Sequence, residues 1–291
     1  MHTETPLTNA SDADLAIAIQ DNLFALFRAM ATLPESELVE GATLSYHLAF
    51  PSNPMYKGVW HTRLSPGDVD RVIDETLAWF QARNAPFLFW WTGPDTMPED
   101  LGERLVAHGL ISMEAQMADM APGMKFTDLG APGMVADLDH MHEAALSQVP
   151  SGFTIEEVRD EAALDAFKRV LMAGYGIPEG MAHGWVQAAV GFGLERTPWQ
   201  LYLGKLNGEP VATHILFTGA GVAGVYAVAT VPSARGKGIG GAITLKPLLE
   251  ARERGYRYAV LFSTEIGIHA YERIGFRRCD VRINRYLWRK G

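Results

Sequence analysis

The sequence predicts an α/β (α+β) protein built from two modules of similar plan. Its 291 residues exceed the usual length of one domain and suit two domains of about 150. Helical and strand patterns alternate along both halves. In each half a helix leads to an apolar strand, and a short helix then ends at a glycine, Gly109 or Gly275. This shared order predicts an internal repeat with its boundary between residues 121 and 152.

The first half carries recognisable start and stop signals. Leu15, Ile19 and Leu23 recur at helical spacing, Pro66 opens a second helix with acidic residues in its first turn, and Gly109 ends a third. Alternation or short apolar runs predict the strands, and a Pro/Asn loop at 51–54 separates the first two. The predicted elements are a helix over 12–33, strands over 41–50 and 56–62, a helix over 66–83, a strand over 86–91, a helix over 98–108 and a strand over 111–120.

The second half follows a Pro- and Gly-rich segment over 121–134 and a short predicted helix over 135–148. Asn207-Gly208 between two apolar runs predicts a hairpin. The predicted elements are a strand over 153–158, helices over 161–173 and 179–194, strands over 199–206, 210–218 and 222–231, a helix over 239–254, a strand over 258–263, a helix over 265–274 and a strand over 282–288.

Composition excludes several classes of protein. Hydrophobic residues make up 48% and charged residues 20%, which favours a packed globular chain over a disordered one. No apolar run approaches the roughly 20 residues that span a bilayer, and the polar N-terminus lacks a secretion signal. We therefore expect a cytoplasmic protein with no membrane partner. The single cysteine, Cys279, excludes a disulfide within the chain and is expected to pack in a strand, although Arg277 and Arg278 beside it favour the thiolate.

The net charge of −9 is unevenly distributed. From Pro232 to Gly291 there are 13 basic residues and 5 acidic ones, so the rest of the chain is strongly acidic. An acidic chain argues against a nucleic-acid partner. The basic C-terminal quarter instead predicts a small anionic ligand.

One segment carries the chemical signal: a strand, a glycine loop and a helix over 228–241, VATVPSARGKGIGG. The first N–H groups of a helix lack intrahelical partners, and the helix dipole adds positive charge there. Glycines allow the backbone to close around a phosphate, while Arg235 and Lys237 add full charges. The pattern therefore predicts a pyrophosphate site.

Other interpretations of this loop remain. It is not a Walker motif, because no Gly-Lys-Ser/Thr follows, and it lacks the further glycine and βαβ context of a dinucleotide fingerprint. A glycine-rich turn with surface charges is the simplest alternative. A nucleotide-binding site that uses the same loop is another.

The segment resembles the coenzyme A loop of the GNAT superfamily of N-acyltransferases, Arg/Gln-x-x-Gly-x-Gly/Ala, through Arg235, Gly238 and Gly240. A second resemblance follows at Tyr271 and Gly275-Phe276, the family's Tyr-x-x-x-Gly-Phe pattern. Together they cover about residues 153–288. The whole chain resembles the two-module type with a degenerate N-terminal module, in which each module is a mixed, largely antiparallel sheet flanked by helices. The implied divisions are a module without a coenzyme site over 1–130, a linker with a short helix over 131–152 and a catalytic module over 153–291.

The resemblance implies roles for particular residues. Acetyl-CoA would be the co-substrate, and the acceptor would be an amine of a small molecule or peptide. Tyr271 would be the general acid that protonates the departing thiolate, although a packed aromatic residue is the alternative. Thr264 stands where the family often has an Asn near the pantetheine. The remaining implied coenzyme contacts are Val228, Ala229, Thr230, Arg235, Gly236, Lys237, Gly238, Ile239, Gly240 and Gly241.

The general base and the acceptor pocket are less defined. Glu265 is a base candidate, although it also suits a first-turn helix acid. His140 and His142 are two residues apart, which places them on different sides of a helix, so we expect no metal site. Further base candidates are Glu195, His214 and His269; aromatic candidates for the pocket are Trp185, Trp199, Tyr226, Trp90 and Trp91.

The first module is expected to bind no coenzyme. Matching the helix ends at Gln81-Ala82-Arg83 and Glu250-Ala251-Arg252 places Pro66, Val69 and Arg71 opposite Arg235, Gly238 and Gly240. Asp68 and Asp70 would repel a pyrophosphate there. Matching Gly109 with Gly275 places Leu105 opposite Tyr271, which removes the acid.

Two functions remain open at this stage. The first is an acetyltransferase that moves an acetyl group directly from acetyl-CoA to an amine. The alternative is a non-catalytic acyl-CoA-binding sensor that keeps the coenzyme site without turnover.

Overall fold

The computed structural model describes residues 5–49, 57–113, 131–177, 179–263 and 265–290. Its α-helices are α1 Asp12–Met30, α2 Val69–Ala82, α3 Leu101–Ala107, α4 Glu161–Tyr175, α5 Glu179–Phe192, α6 Ile239–Glu253 and α7 Glu265–Glu272. Its strands are β1 Glu37–Glu40, β2 Ser45–Leu48, β3 Lys57–Trp60, β4 Phe87–Thr92, β5 Ile111–Ser112, β6 Ala131–Asp137, β7 Phe153–Glu157, β8 Trp199–Leu206, β9 Glu209–Gly219, β10 Val222–Thr230, β11 Tyr258–Phe262 and β12 Arg277–Arg289. No helix in these ranges is long and apolar enough to cross a bilayer.

The chain forms two compact units that do not follow sequence order. Unit 1 contains residues 1–26 and 133–279, and unit 2 contains residues 27–132 and 280–291. Each unit therefore includes a terminal segment from the other half of the sequence. The division into 1–130, 131–152 and 153–291 remains a prediction about domains, because compactness groups the terminal segments differently.

Unit 1 is organised around a mixed sheet in the order β7-β8-β9-β10-β11-β6. Strands β10 and β11 are parallel, and the other neighbours are antiparallel. Helix α6 packs on this sheet because Ile239, Ile243 and Leu248 are fully buried against the apolar side chains of the strands. The sheet thus holds α6 and the glycine loop before it at the end of β10.

Unit 2 has a sheet of similar plan in the order β1-β2-β3-β4-β12, with β5 also paired to β12. Strands β3 and β4 are parallel, and the others are antiparallel. Helix α2 buries Ile73 and Phe80 against Leu88 and Trp90 of β4. The predicted pair of mixed, largely antiparallel sheets flanked by helices is confirmed.

The hairpin predicted at Asn207-Gly208 is confirmed. Asn207 has φ 52° and Gly208 has φ 86°, and Leu206 pairs with Glu209 across the turn. Two consecutive positive φ values define the type I′ turn, whose twist matches that of the flanking strands.

The predicted helix over 135–148 is wrong. Val135 and Ala136 lie in β6, opposite Val260 and Ala259 of β11, and only short 3₁₀ turns follow over 138–140 and 143–147. This segment forms a strand because it pairs with the edge of β11. Pairing with a distant strand is a tertiary effect that the local spacing of apolar residues does not report. The strand predicted over 41–50 is confirmed only over 45–48, which is β2, because residues 41–44 form the turn of a hairpin in which Glu40 of β1 pairs with Ser45 of β2. Residue 50 and residues 114–120 of the strand predicted over 111–120 lie outside the described residues.

Candidate functional site

The candidate site begins where two parallel strands separate. Strands β10 and β11 pair only at Ala223 with Ala259 and at Gly224 with Val260. Strand β10 nevertheless continues to Thr230, and β11 to Phe262. Within the described residues, the last part of β10 therefore has no strand paired on its β11 side. This edge offers backbone N–H and C=O groups to an extended ligand.

A bulge interrupts β10 beside this opening. The register shifts after Tyr226, which pairs with Ile215, and resumes at Ala229, which pairs with Thr213. Ala227 has φ 50°, a left-handed conformation that side chains other than glycine adopt only under constraint. Bulges of this kind turn a strand locally and re-aim its groups near functional sites.

Backbone alternation fixes which groups face the open side of β10. The Val231 N–H donates to the Val211 carbonyl of β9 at 2.9 Å, so the backbone groups of Thr230 face away from β9. Two side chains already donate to carbonyls of this segment. Arg235 Nε donates to Thr230 O at 3.1 Å, and Tyr175 Oη donates to Val228 O at 2.9 Å.

The glycine loop after β10 leads into the N-terminus of α6. Gly236 and Gly238 have φ 73° and 78°, and Gly238 is the N-cap residue. Its carbonyl accepts the first helical bond, from the Ala242 N–H at 3.1 Å. The N–H groups of residues 236–241 have no acceptor among the described residues. Free donors at the positive end of a helix are the arrangement that suits an anion.

Two glycines of this loop differ in whether the fold itself requires them. A Cβ on Gly238 would lie 2.5 Å from Gln148 O, and its φ is positive, so the fold itself requires glycine there. A Cβ on Gly240 would meet only Thr230 Oγ1, at 3.7 Å. Nothing in the described protein requires glycine at 240, and the space in front of its backbone therefore suits a phosphate. The residues present fit a pyrophosphate group.

The two loop cations brace the loop and remain exposed. Arg235 Nη2 donates to Gly174 O at 2.5 Å, which ties the loop to the end of α4. Lys237 Nζ donates to Ser233 O at 3.0 Å. Both residues belong to the loop that carries the free N–H groups, so they add positive charge to it.

Tyr271 lies in α7 and packs edge-on against Phe276, with ring centroids 5.8 Å apart. Burial raises the pKa of its phenol above the ordinary value, and the nearby Tyr175 raises it further. The hydroxyl has no hydrogen-bond partner among the described residues. Tyr271 thus remains protonated over a wide pH range, as a proton donor must be.

Comparisons with known proteins agree with this geometry. Residues 204–279 match the sequence model of the Acetyltransferase (GNAT) domain. A GCN5-related N-acetyltransferase from Kribbella flavida has a TM-score of 0.67 at 18% identity, covering 93% of this chain and 96% of that one. A GCN5-related N-acetyltransferase from Sphaerobacter thermophilus gives 0.60 at 16% identity, covering 97% and 95%. A tandem GNAT protein from the clavulanic acid biosynthesis pathway gives 0.56 at 14% identity, covering 99% and 98%. A comparison with curated proteins gives no significant match.

The chain has the tandem GNAT fold. Its matched GNAT domain contains the glycine loop, all of α6 and Tyr271. The fold and the domain match were both predicted by the two short motifs.

The GNAT-like unit 2 keeps the turn that follows Tyr271 but not the tyrosine. The Phe276 N–H donates to Tyr271 O at 3.1 Å, and the Leu110 N–H donates to Leu105 O at 3.0 Å. Gly275 and Gly109 both have positive φ, at 110° and 85°. The predicted equivalence of Leu105 and Tyr271 is therefore supported by the backbone, and Leu105 is fully buried.

The predicted alignment of the two helix starts needs correction. Helix α2 has Asp68 as its N-cap residue, whereas α6 has Gly238. Matching the caps places Asp68 opposite Gly238 and Asp70 opposite Gly240, instead of Val69 and Arg71. The sequence alignment matched Arg83 with Arg252, but Arg83 is the residue after the end of α2, whereas Arg252 lies inside α6, so the helix starts are displaced.

The base candidates differ sharply in environment. His214 is fully buried, neither ring nitrogen has a hydrogen-bond partner among the described residues, and burial lowers its pKa to about 3. His269 is 81% exposed and lies 3.2 Å from Glu272 Oε2, and Glu195 is also exposed. Glu265 begins α7, but its side chain lies outside the described set, as does the whole of Thr264. No hydrogen bond joins a described candidate to Tyr271.

The remaining candidates pack within the two units. Trp185 contacts Trp199 and Tyr226, with ring centroids 5.7 Å and 6.4 Å apart, while Trp90 Nε1 donates to Thr62 Oγ1 at 2.9 Å. Trp90 and Trp199 are fully buried, whereas Trp185, Tyr226 and Trp91 are partly buried. The ring of Trp91 lies near that of Phe27, with centroids 5.3 Å apart. Three further residues have these nearest polar partners: His140 Nδ1 lies 3.3 Å from Asp137 Oδ2, His142 Nδ1 lies 3.0 Å from Arg273 O, and Cys279 Sγ lies 3.9 Å from Asp12 O.

Cys279 is buried in β12, as predicted for a packed strand thiol. No group of three or more His, Cys, Asp or Glu in the described ranges has the geometry of a metal site.

Sequence reasoning missed Tyr175. It is the last residue of α4, its hydroxyl contacts the β10 bulge, and its phenol is close enough to affect Tyr271. The only local signal was Gly176, a helix-stop glycine with φ 66°. That signal marks the end of the helix and says nothing about the side chain before it.

Proposed function

We propose that the protein is an acetyltransferase that moves an acetyl group from acetyl-CoA directly to an amine of a small molecule or peptide. The observation that carries this proposal is the row of free N–H groups over 236–241, at the end of an open strand edge. An anion site joined to such an edge suits a ligand with a pyrophosphate and an extended amide arm.

Each part of the coenzyme has a complementary part of the chain. The loop N–H groups of Gly236, Lys237, Gly238, Ile239, Gly240 and Gly241 would hold the pyrophosphate, with Arg235 and Lys237 adding charge. Val228, Ala229 and Thr230 would lie along the pantetheine, as one strand pairs with another. Thr264 would contact the same pantetheine arm.

The chemistry needs one proton donor and one acceptor of a proton. Acetyl-CoA supplies the activated thioester. Tyr271 would donate its phenolic proton to the sulfur as the C–S bond breaks, and its raised pKa keeps that proton in place beforehand. Glu265 is the proposed base for the attacking amine. Direct transfer is favoured because the only cysteine, Cys279, is buried.

A thiol-release assay with acetyl-CoA and a panel of amines tests this proposal. Release that requires an amine and falls steeply in Tyr271→Phe is the expected result. The burial of Cys279 helps, because the enzyme adds little background to a thiol-reactive dye. Amine-independent release, or full activity in Tyr271→Phe, contradicts the proposed mechanism.

The alternative is a sensor that binds acyl-CoA without turnover. It is favoured by the environments of the described base candidates: His214 is fully buried, while Glu195 and His269 are exposed, and none of them has a hydrogen bond to Tyr271. Binding of CoA by calorimetry, with no thiol release for any amine, would support the sensor and exclude the enzyme.

A further inference from the structure

The C-terminal turn of α4 touches both parts of the candidate site. Gly174 O accepts from Arg235 of the phosphate loop, and Tyr175 Oη donates to Val228 O at the bulge. A Cβ on Gly174 would lie 2.7 Å from the Cβ of Ala229, so the helix end packs tightly on the end of β10. Loop, bulge and helix end are thus held together.

The bulge needs such support because its backbone is strained. Ala227 has φ 50°, and a left-handed alanine persists only where its surroundings determine it. Two consecutive carbonyls of the bulge are each fixed by a side chain. Thr213 Oγ1 donates to Ala227 O at 2.8 Å, and Tyr175 Oη donates to Val228 O at 2.9 Å.

Building on the proposed acetyl-CoA site, we propose that Tyr175 is a positioning residue for acyl transfer. Its hydroxyl holds the Val228 carbonyl, and thereby the bulge, in the orientation that the thioester end of the pantetheine arm requires. Tyr175 acts through Val228 and exchanges no proton with the substrate. Thr213 has the same role on the β9 side of the bulge.

The chemistry of the Tyr175 phenol suits this role. Burial of the hydroxyl raises its pKa to about 12, so it remains a neutral donor at physiological pH. The side chain as a whole is half exposed, with 50% of its surface accessible, and the Phe variant keeps the entire ring and loses only the oxygen. A Tyr175→Phe variant should therefore fold normally.

Two probes separate the arm from the phosphate loop. Calorimetry would measure acetyl-CoA, which has the pantetheine arm, and 3′-phosphoadenosine 5′-diphosphate, which lacks it. Tyr175→Phe and Thr213→Val should each lower the affinity for acetyl-CoA by about threefold to tenfold, which is the usual effect of losing one hydrogen bond. Affinity for the nucleotide should stay within twofold in both variants.

Matched controls isolate the hydroxyl groups. Tyr256→Phe removes a phenolic hydroxyl beyond the far end of α6, roughly 22 Å from the loop, and should change neither affinity. Thr213→Ser keeps the donor and should restore the acetyl-CoA affinity that Thr213→Val loses. Melting temperatures close to that of the parent protein would show that each variant is folded.

The outcomes are distinct. An unchanged or tighter acetyl-CoA affinity in Tyr175→Phe, or equal loss for both probes, overturns the positioning role while leaving the coenzyme site intact. A parent protein that binds neither probe contradicts the proposed function itself. Loss confined to acetyl-CoA supports both.

Discussion

The two GNAT-like units begin corresponding helices with opposite chemistry. Helix α6 starts at Gly238, with free N–H groups and exposed cations beside them. Helix α2 starts at Asp68, whose carboxylate lies 2.9 Å from Arg71. The hydrogen bond with Arg71 lowers the pKa of Asp68, so the charge stays at the helix start. One fold thus supports an anion site or excludes it through the side chains of a single turn.

The same contrast holds at the proposed acid. Tyr271 and Leu105 precede equivalent glycine turns, yet Tyr271 is a phenol close enough to Tyr175 to be affected by it, whereas Leu105 is a fully buried core residue. The backbone plan is kept in unit 2, while its described residues have neither the glycine loop of α6 nor a tyrosine at the position of Leu105. Architecture and chemistry are therefore separable in this chain.

The largest expected effect comes from giving α6 the chemistry of α2. Gly240→Asp should lower the affinity for CoA by about 100-fold to 1,000-fold. The new carboxylate would face the pyrophosphate, and like charges about 4 Å apart near a surface repel by ~4 kcal/mol. The fold should survive, because the site has room for a Cβ and an acid favours a helix start. Calorimetry and a melting curve measure the two quantities, and Gly240→Ala is the control for size without charge.

Gly238→Asp is a less useful test than Gly240→Asp. Its Cβ would clash with Gln148 O, so a loss of CoA binding would not separate charge from misfolding.

Removing the acid tests the second contrast. Tyr271→Phe should lower kcat by about 100-fold, the usual scale for general acid catalysis, while CoA affinity changes little. The ring and its contact with Phe276 are retained, so stability should hold. Steady-state thiol release checks the rate, and Tyr256→Phe is the matched control. A kcat within threefold of the parent value contradicts the assignment.

The pH dependence of kcat follows from the raised pKa of Tyr271. The acid acts in its protonated form, which is lost only as the pH rises through its pKa. An ordinary phenol loses its proton near pH 10. Burial raises the pKa of Tyr271, so its phenol loses the proton only at higher pH. We therefore expect that deprotonation of Tyr271 causes no decline in kcat up to about pH 10. A falling limb near pH 9 that disappears in Tyr271→Phe would contradict the raised pKa.

The smallest effect is expected in unit 2. Asp68→Asn combined with Asp70→Asn should create no second coenzyme site, because α2 still lacks the glycine loop that brings N–H groups close to a phosphate. Titration with CoA should give the same stoichiometry as the parent protein. An additional binding event would show that the acidic side chains alone silence this unit.

The sequence predicted those parts of the fold that depend on local chemistry. Arg235, Gly238 and Gly240 mark a loop whose function needs those residue types, and Asn207-Gly208 specifies its own turn. Strand β6 was missed, because Val135 is strand only through pairing with β11. Tyr175 was missed for the same reason: its contact with Val228 spans 53 residues and leaves no local pattern.

Calorimetric titration of the parent protein with CoA measures how many coenzyme molecules each chain binds. We expect one molecule bound per chain, at the start of α6, and no measurable binding in Gly240→Asp at the same concentrations. Two molecules per chain, or undiminished affinity in Gly240→Asp, would contradict it.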